Sequence, residues 1–194
     1  GARVQDTAAI LCEPGLPAAG ALAKLLLSAF DIAVGSYVAA IGLVAADLPE
    51  SPPAELWALA EVSEVRCPDV DAAAQMQAAI DAARQAGDTL GGVFVVQASG
   101  VPVGLGSHVQ WDRRLDARLA AAIMSIPAVK GVEIGPAFEN ARTPGRSVHD
   151  ERFPDGQGGA TRRSNRAGGV EGGMTNGALV EVRAAMKPIP TTLR

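Results

Sequence analysis

The chain has very little cysteine and no excess of positive charge. Its 194 residues contain two cysteines, Cys12 and Cys67, which fit no metal-ligand spacing and allow at most one disulfide bridge. This usage is typical of a reducing compartment, so we expect a cytoplasmic protein without a metal site. The net charge of −4 provides no general basic surface, so we expect no nucleic-acid partner.

The sequence also lacks an uninterrupted hydrophobic run. Its longest uncharged stretch, residues 89–111, is long enough to cross a bilayer, but five glycines, one proline and two glutamines interrupt it. We therefore expect no membrane helix. Because the chain begins at Gly1 rather than Met and ends directly after a strand-like run, we interpret residues 1–194 as one partial domain.

Standard catalytic and nucleotide signatures are absent too. No phosphate-binding loop of the G-x-x-x-x-G-K-[ST] type occurs, and Gly104-Leu105-Gly106 lacks the third glycine of a dinucleotide fingerprint. No serine or cysteine is framed as the nucleophile of a hydrolase. Any chemistry must therefore be sought in less standard patterns.

Apolar residues recur at helical spacing in several segments, and the clearest stripe contains Met76, Ile80 and Ala83. The predicted helices are 18–32, 54–60, 69–86 and 115–126. Gly87 follows the third helix where a C-terminal cap is expected. Three prolines in residues 47–53 predict a connection that continues neither a helix nor a strand.

Three segments have the composition of strands. They are 34–44, 93–96 and 178–187. The second is a continuous apolar run, which predicts a strand covered on both faces. The third alternates so that Glu181, Arg183 and Lys187 share a polar face, and Asn176-Gly177 predicts a hairpin turn in front of it.

Glycine and arginine are concentrated near the C-terminal end. Eleven of the 22 glycines lie in residues 131–177, and six arginines stand against three acidic residues between positions 142 and 166. The planar guanidinium group of arginine binds anions well, and the backbone of glycine can approach a ligand closely. Both features suit an anionic ligand. We define 142–177 as the Gly/Arg-rich region and interpret it as a functional loop region, the alternative being a mobile surface loop with solvated charges.

The two histidines carry little information. His149 precedes Asp150 and Glu151 and suits either a proton-transfer or metal-binding role or a structural one. His108, which lies near Trp111, is a weaker candidate still.

Five sequence blocks are more specific than composition. They are GDTLGGV at 87–93, VPVGLG at 101–106, KGVEIG at 130–135, SNRAGG with EGGMTNG at 164–177, and KPIPT at 187–191. In order and spacing they resemble the chorismate synthase family, from about residue 20 to residue 194.

The resemblance implies an α+β fold, a β-α-β sandwich of antiparallel sheets packed with helices, here in part, and a cytoplasmic homotetramer. It implies a lyase that converts 5-enolpyruvylshikimate 3-phosphate to chorismate and phosphate in the shikimate pathway of aromatic amino acid biosynthesis. The implied cofactor is reduced FMN, with NADPH as one source of its electrons. The substrate carries two carboxylates and a phosphate, which would explain the arginine excess.

Family positions that match this sequence imply FMN contacts before, within and after the Gly/Arg-rich region. They are Pro127, Ala128, Gly172, Lys187, Pro188, Ile189, Pro190 and Thr191. Lys187 would serve as a cation for an anionic flavin or its phosphate, and its alternative is a solvated lysine at a strand end. Pro127 stands where the family often has Asn, so a backbone or packing contact is expected there.

Several family blocks have no counterpart in this sequence. They are the N-terminal Gly-Glu-Ser-His-Gly block, the second catalytic histidine and the C-terminal Arg-Ser-Asp block. The catalytic residues are therefore unknown, and we expect the chain to be inactive alone; alternatives are a non-catalytic flavin- or anion-binding module and a structural remnant. Residues 4–17 also depart from the family, since Pro14 and Pro17 break the helix expected there.

Overall fold

A computed structural model describes residues 15–48, 51–154, 156 and 160–190 of the chain. Cys12, Thr191 and most of the unusual segment 4–17 lie outside the described residues.

The described residues form helices and antiparallel strands, which confirms the α+β class. The helices are α1 (Gly15–Ser28), α2 (Pro53–Val62), α3 (Val70–Gln85), α4 (Leu115–Met124), α5 (Ala137–Asn140) and α6 (Gly145–Val148). The strands are β1 (Ala33–Ile41), β2 (Val44–Ala45), β3 (Gly92–Ser99), β4 (Val129–Ile134), β5 (Arg152–Pro154), β6 (Ala160–Arg162), β7 (Val170–Glu171), β8 (Met174–Thr175) and β9 (Val180–Met186). Within this part of the chain, no helix has the length and apolarity needed to cross a membrane.

Five strands form one sheet in the order β2-β1-β3-β9-β4, and every neighbouring pair is antiparallel. The last strand in the chain, β9, therefore lies between β3 and β4. Its final residue, Met186, pairs with Gly92 at the start of β3 and with Val129 at the start of β4. The C-terminal end of β9 consequently lies beside the loops that precede both neighbours.

Each face of the sheet is covered by a different helix. On one face, Met76 and Ala72 of α3 pack with Ile41 of β1 and with Cys67. On the other, Leu56 and Ala60 of α2 pack with Tyr37 and Val95. Successive residues of a strand point to opposite faces, so β1 contributes to both clusters. Tyr37 and Ile41 are four residues apart and would share a face in a regular strand, but a register shift between Val38 and Ala40 places Ile41 on the α3 side.

Helix α3 follows the sequence prediction of 69–86 most closely. Its N-terminal cap is Asp69, whose carboxylate accepts from the amides of Asp71 and Ala72 at 3.0 Å each. Gly87 has a φ of 67° and ends the helix, as predicted, because glycine adopts this left-handed conformation without a side-chain clash. Met76, on the predicted stripe, is fully buried.

Two boundary predictions were wrong at tight turns. The predicted strand 34–44 is two strands, β1 and β2, which a turn at Gly42 with φ 57° folds into a hairpin. The predicted helix 18–32 ends at Ser28, and Asp31 adopts a left-handed φ of 59°. Helical periodicity continues through Phe30, so the pattern carried no signal of this break.

The hairpin predicted at Asn176-Gly177 was also wrong. Strand β8, which precedes it, pairs with β7, whereas β9, which follows it, pairs with β3 and β4. Asn176 is buried, and its side-chain oxygen accepts from the Ala178 amide. The dipeptide therefore redirects the chain between two sheets instead of joining two paired strands.

Strand β9 has the predicted alternation. Val180, Val182 and Ala184 are buried, while Glu181 and Arg183 lie half-buried on the opposite face. Strand β3 is central, and none of its residues is exposed, as predicted for a strand covered on both faces.

Glu181 belongs to a hydrogen-bonded row across its face of the sheet. Trp57 Nε1 of α2 donates to Gln97 Oε1 at 3.1 Å, and Gln97 Nε2 donates to Glu181 Oε2 at 2.7 Å. Gln97 is 4 % exposed, and both ends of its amide are satisfied. The row connects α2 to β9 across β3.

Tyr37, the only tyrosine in the chain, provides a test of this face. Burial, and secondarily the charge of Glu181, raise the pKa of Tyr37 to about 12, against an opposing effect of Arg183. Because the folded pKa lies above the unfolded value of 10.0, its contribution to folding stability is present below pH 10 and lost as pH rises toward 12.

We expect spectrophotometric titration of tyrosinate at about 295 nm to show ionisation far above the ordinary range. Glu181→Gln should lower the pKa of Tyr37 while leaving it raised, since burial is the larger cause. Asp81→Asn, on the exposed side of α3, is the charge-matched control. A pKa of Tyr37 near the unfolded value of 10.0 in the folded wild type would contradict this packing.

Candidate functional site

Three loops meet where β9 ends. They are the loop before β3, the loop before β4 that contains Pro127 and Ala128, and the run Lys187–Pro190, named here the 187–190 run. The Lys187 amide donates to the Ala128 carbonyl oxygen at 2.9 Å. Two groups of residues that the resemblance implies as FMN contacts are thus adjacent, although about 60 residues separate them along the chain.

Ala128 has an unusual backbone conformation at this point. Its φ of 68° lies in the left-handed region, which costs a residue with a Cβ about 1–2 kcal/mol. Hydrogen bonds on both sides maintain it, since the Val129 amide donates to the Ile126 oxygen while the Ala128 oxygen accepts from Lys187. Strained residues of this kind cluster at ligand-binding sites, which supports Ala128 as a site residue.

The side chains of the 187–190 run are accessible. Lys187, Pro188 and Pro190 are exposed, and Ile189 is half-buried. Within the described ranges, no carboxylate lies within ion-pair distance of Lys187. The site therefore offers an exposed cation beside backbone that is held in place from both sides.

A shallow apolar floor lies on the polar face of β9, near the end of the strand. Val93, Ala185 and Gly131 are register partners on β3, β9 and β4, and together with Phe138 they line a cavity of about 200 Å³. Arg183 and Glu133 close its far side, with 3.5 Å between the guanidinium and carboxylate. The arrangement is a flat apolar surface that is bounded on one side by an ion pair.

Gly172, also implied as an FMN contact, lies elsewhere on this chain. It is in the turn between β7 and β8, and the oxygen of the next residue, Gly173, accepts from the Leu115 amide at 2.8 Å at the start of α4. Ala128 follows the other end of α4. A ten-residue helix spans about 15 Å, so one chain does not bring Gly172 next to the 187–190 run.

Sequence reasoning assigned no role to Thr89 and Gly91, which contact the 187–190 run from the loop before β3. Thr89 Oγ1 donates to the Ile189 carbonyl oxygen at 2.7 Å. A Cβ on Gly91 would lie 2.5 Å from the Met186 oxygen and 3.0 Å from Pro188 Cδ. The signal was present, because both residues belong to the motif at 87–93.

The Gly/Arg-rich region is more structured than a surface loop. It contains the β5–β6 and β7–β8 hairpins and the short helix α6. Arg162 is 9 % exposed at its side chain and pairs with Glu171 at 2.6 Å, while Arg166 pairs with Glu139 and Arg163 lies over the Phe153 ring. Much of the apparent arginine excess is therefore committed to internal contacts.

Asp150 organises the same region. Its carboxylate accepts from the Ser164 hydroxyl and from the amides of Arg166 and Ala167. Burial raises the pKa of Asp150, but these hydrogen bonds and the charge of Arg162 outweigh it and hold the pKa below its ordinary value. Asp150 is therefore ionised at neutral pH, and its hydrogen bonds hold residues 164–167 in place.

His149 is exposed, whereas its neighbour Asp150 points inward. Among the described residues, no group of three or more His, Cys, Asp or Glu side chains could hold a metal ion. Arg142 and Arg146 are exposed and form no ion pair within the same part of the chain, which leaves them accessible to an anion.

Comparison with known proteins gives one consistent result. The family model described as chorismate synthase matches residues 15–194. The chorismate synthase of Pelobacter propionicus is 56% identical over 181 residues, covering 90% of this chain and 46% of that protein. That of Geobacter sulfurreducens is 52% identical over 184 residues, covering 91% and 47%.

A solved structure agrees. A crystal structure of a chorismate synthase superposes with a TM-score of 0.82 at 46% identity, covering 87% of this chain and 53% of that one. The chain spans about half the length of the curated relatives it matches. With nearly its whole length matched and its fold shared, this chain belongs to the chorismate synthase family.

Proposed function

We propose that this chain forms part of the flavin and substrate site of a chorismate synthase. The reaction is the conversion of 5-enolpyruvylshikimate 3-phosphate to chorismate by a 1,4-trans elimination, which releases phosphate and a proton. The observation that carries the proposal is the convergence of Pro127 and Ala128 with the 187–190 run at the end of β9.

The residues at this place fit FMN. Lys187 is an exposed cation suited to a phosphate or an anionic flavin, and the floor of Val93, Gly131 and Ala185 suits an aromatic ring system. When bound, reduced FMN supplies a transient electron and accepts the proton without net redox change. The role of the chain is to orient the ring and neutralise its charge.

The Gly/Arg-rich region is the proposed location of contacts to the substrate. Arg142 and Arg146 are exposed there, and both carboxylates and the phosphate of the substrate are anions that guanidinium groups bind in bidentate fashion. The family histidines that move protons have no counterpart in this sequence. We therefore propose that the isolated chain binds ligand without turnover.

Titration of the 194-residue chain with FMN, followed by flavin fluorescence and absorbance, tests the proposal. Saturable binding without chorismate formation from the substrate and chemically reduced FMN is the expected result. Absence of any flavin response up to millimolar FMN would contradict the flavin-site proposal. Chorismate formation by the chain alone would contradict the proposed inactivity.

Association with other copies, as a cytoplasmic homotetramer, is part of the same proposal. Helix α1 and the turn that follows it expose Leu22, Leu25, Leu26 and Phe30, each 63–69 % accessible. A contiguous apolar stripe of this kind is uncommon on a soluble monomer, which supports an assembly that covers it. Light scattering of the purified chain measures the oligomeric state directly.

A further inference from the structure

The longest-range side-chain hydrogen bond at the site joins Thr89 to the 187–190 run. Thr89 Oγ1 donates to the Ile189 carbonyl oxygen at 2.7 Å, across 100 residues of sequence, in a half-buried position. The loop that carries Thr89 is held as well, because the Asp88 amide donates to the Ala83 oxygen at 2.8 Å and the Gly42 amide donates to the Gly91 oxygen at 2.9 Å. The hydroxyl is therefore presented to the run by a braced loop.

Among the residues that the structure describes, few other contacts hold the conformation of the run. The sheet ladder of β9 ends at Met186, and Pro188 and Pro190 have no amide hydrogen to donate. The Lys187 amide bonds to Ala128 on the β4 side, and the Thr89 hydroxyl bonds to Ile189 on the β3 side. One hydrogen bond on each side thus holds the run between the two loops.

Gly91 brings the Thr89 loop close enough for this contact. A Cβ at Gly91 would overlap the Met186 oxygen at 2.5 Å and Pro188 Cδ at 3.0 Å. The absence of a side chain allows the loop to lie directly against the start of the run. Thr89 then reaches the carbonyl oxygen of Ile189, the residue between the two prolines.

We propose that Thr89 is a positioning residue, which fixes the 187–190 run so that the Lys187 side chain and the backbone of Ile189 are directed into the flavin site. This inference rests on the proposed flavin site, because Thr89 acts through the run and not by touching the cofactor. Its role is to reduce the conformational entropy that the run would lose on binding.

The test compares Thr89→Val, which keeps the shape and removes the donor, with Thr89→Ser, which keeps the donor. Ser28→Ala is the control, because Ser28 Oγ also donates to a backbone carbonyl, that of Leu25 at 2.8 Å, in α1, which contributes no proposed ligand contact. All are made in the 194-residue chain and titrated with FMN.

We expect Thr89→Val to weaken FMN binding about three- to tenfold, the range of one hydrogen bond. Thr89→Ser and Ser28→Ala should bind as the wild type does. Hydrogen exchange at the Lys187 amide should accelerate in Thr89→Val alone, because the run then loses one of its two attachments.

The two measurements separate the hypotheses. A wild type that does not bind FMN contradicts the proposed function, and Lys187 exchange then decides the role of Thr89 without ligand. Unchanged FMN affinity and unchanged Lys187 exchange in Thr89→Val would overturn the positioning role while the flavin site stands. Equal losses in Thr89→Val and Ser28→Ala would also overturn it.

Discussion

Replacement of Gly168 by Ala should lower the free energy of unfolding by about 2–5 kcal/mol, the sum of a left-handed conformation and a forced backbone shift. Gly168 has a φ of 59°, and a Cβ there would overlap the Gly135 nitrogen and lie 2.7 Å from the Gly135 Cα. Gly135, at the end of β4, has the same φ. Neither side of this contact is a flexible side chain, so the backbone must move.

Gly172→Ala is the matched control for this prediction. Its φ of 60° is nearly identical, but a Cβ would meet no atom within 4 Å. The control therefore isolates the cost of the left-handed conformation, about 1–2 kcal/mol. Urea unfolding of both variants provides the measurement, and equal losses of stability would show that the Gly135–Gly168 contact is looser than described.

The contact matters for the site because it attaches the Gly/Arg-rich region to the sheet. The Glu181 amide of β9 donates to the Gly168 oxygen at 3.1 Å, and the Gly135 amide donates to the Glu181 oxygen at 2.9 Å. Loss of this junction would release the region from β4 and β9 together.

Replacement of Lys187 by Ala should weaken FMN binding by about 10- to 100-fold, the range for a hydrogen bond to a charged group. The exposed Lys187 ammonium has no carboxylate partner among the described residues and is attached to a run fixed on both sides. The loss should shrink as salt concentration rises, since salt screens the attraction.

Lys24→Ala provides the control, because it makes the same change of charge on α1. Riboflavin, which has no phosphate, distinguishes the two anions that Lys187 could bind. Equal loss for FMN and riboflavin would indicate the flavin ring, and a loss for FMN alone would indicate the phosphate. Equal weakening by Lys24→Ala and Lys187→Ala would contradict a specific role.

Sequence reasoning was most successful where local signals agreed. Helix α3 has an apolar stripe, an Asp69 cap and a terminal Gly87, and its predicted limits differ from the observed ones by one residue at each end. It was least successful at the tight turns near Asp31 and Gly42. A single left-handed residue ends the helix or strand there, while the spacing of apolar residues in the sequence continues.

The site was only partly predictable for a related reason. The resemblance identified Pro127, Ala128 and the 187–190 run, but Gly172 lies at the opposite end of α4 from Ala128. The arginine excess predicts guanidinium groups that are free to bind an anion, whereas Arg162 and Arg166 form internal ion pairs. Composition counts charges and does not reveal their partners.

The sequence by itself determined the family, the four longer helices, the presence of β1, β3 and β9, and which residues of β9 face the core, because motif order and periodicity are local properties of the chain. The tertiary structure alone decided that β9 lies between β3 and β4, and hence that Thr89, Ala128 and Ile189 meet. Periodicity specifies the face of a strand but not its neighbour. The neighbour depends on packing between distant segments, and that packing forms the candidate site.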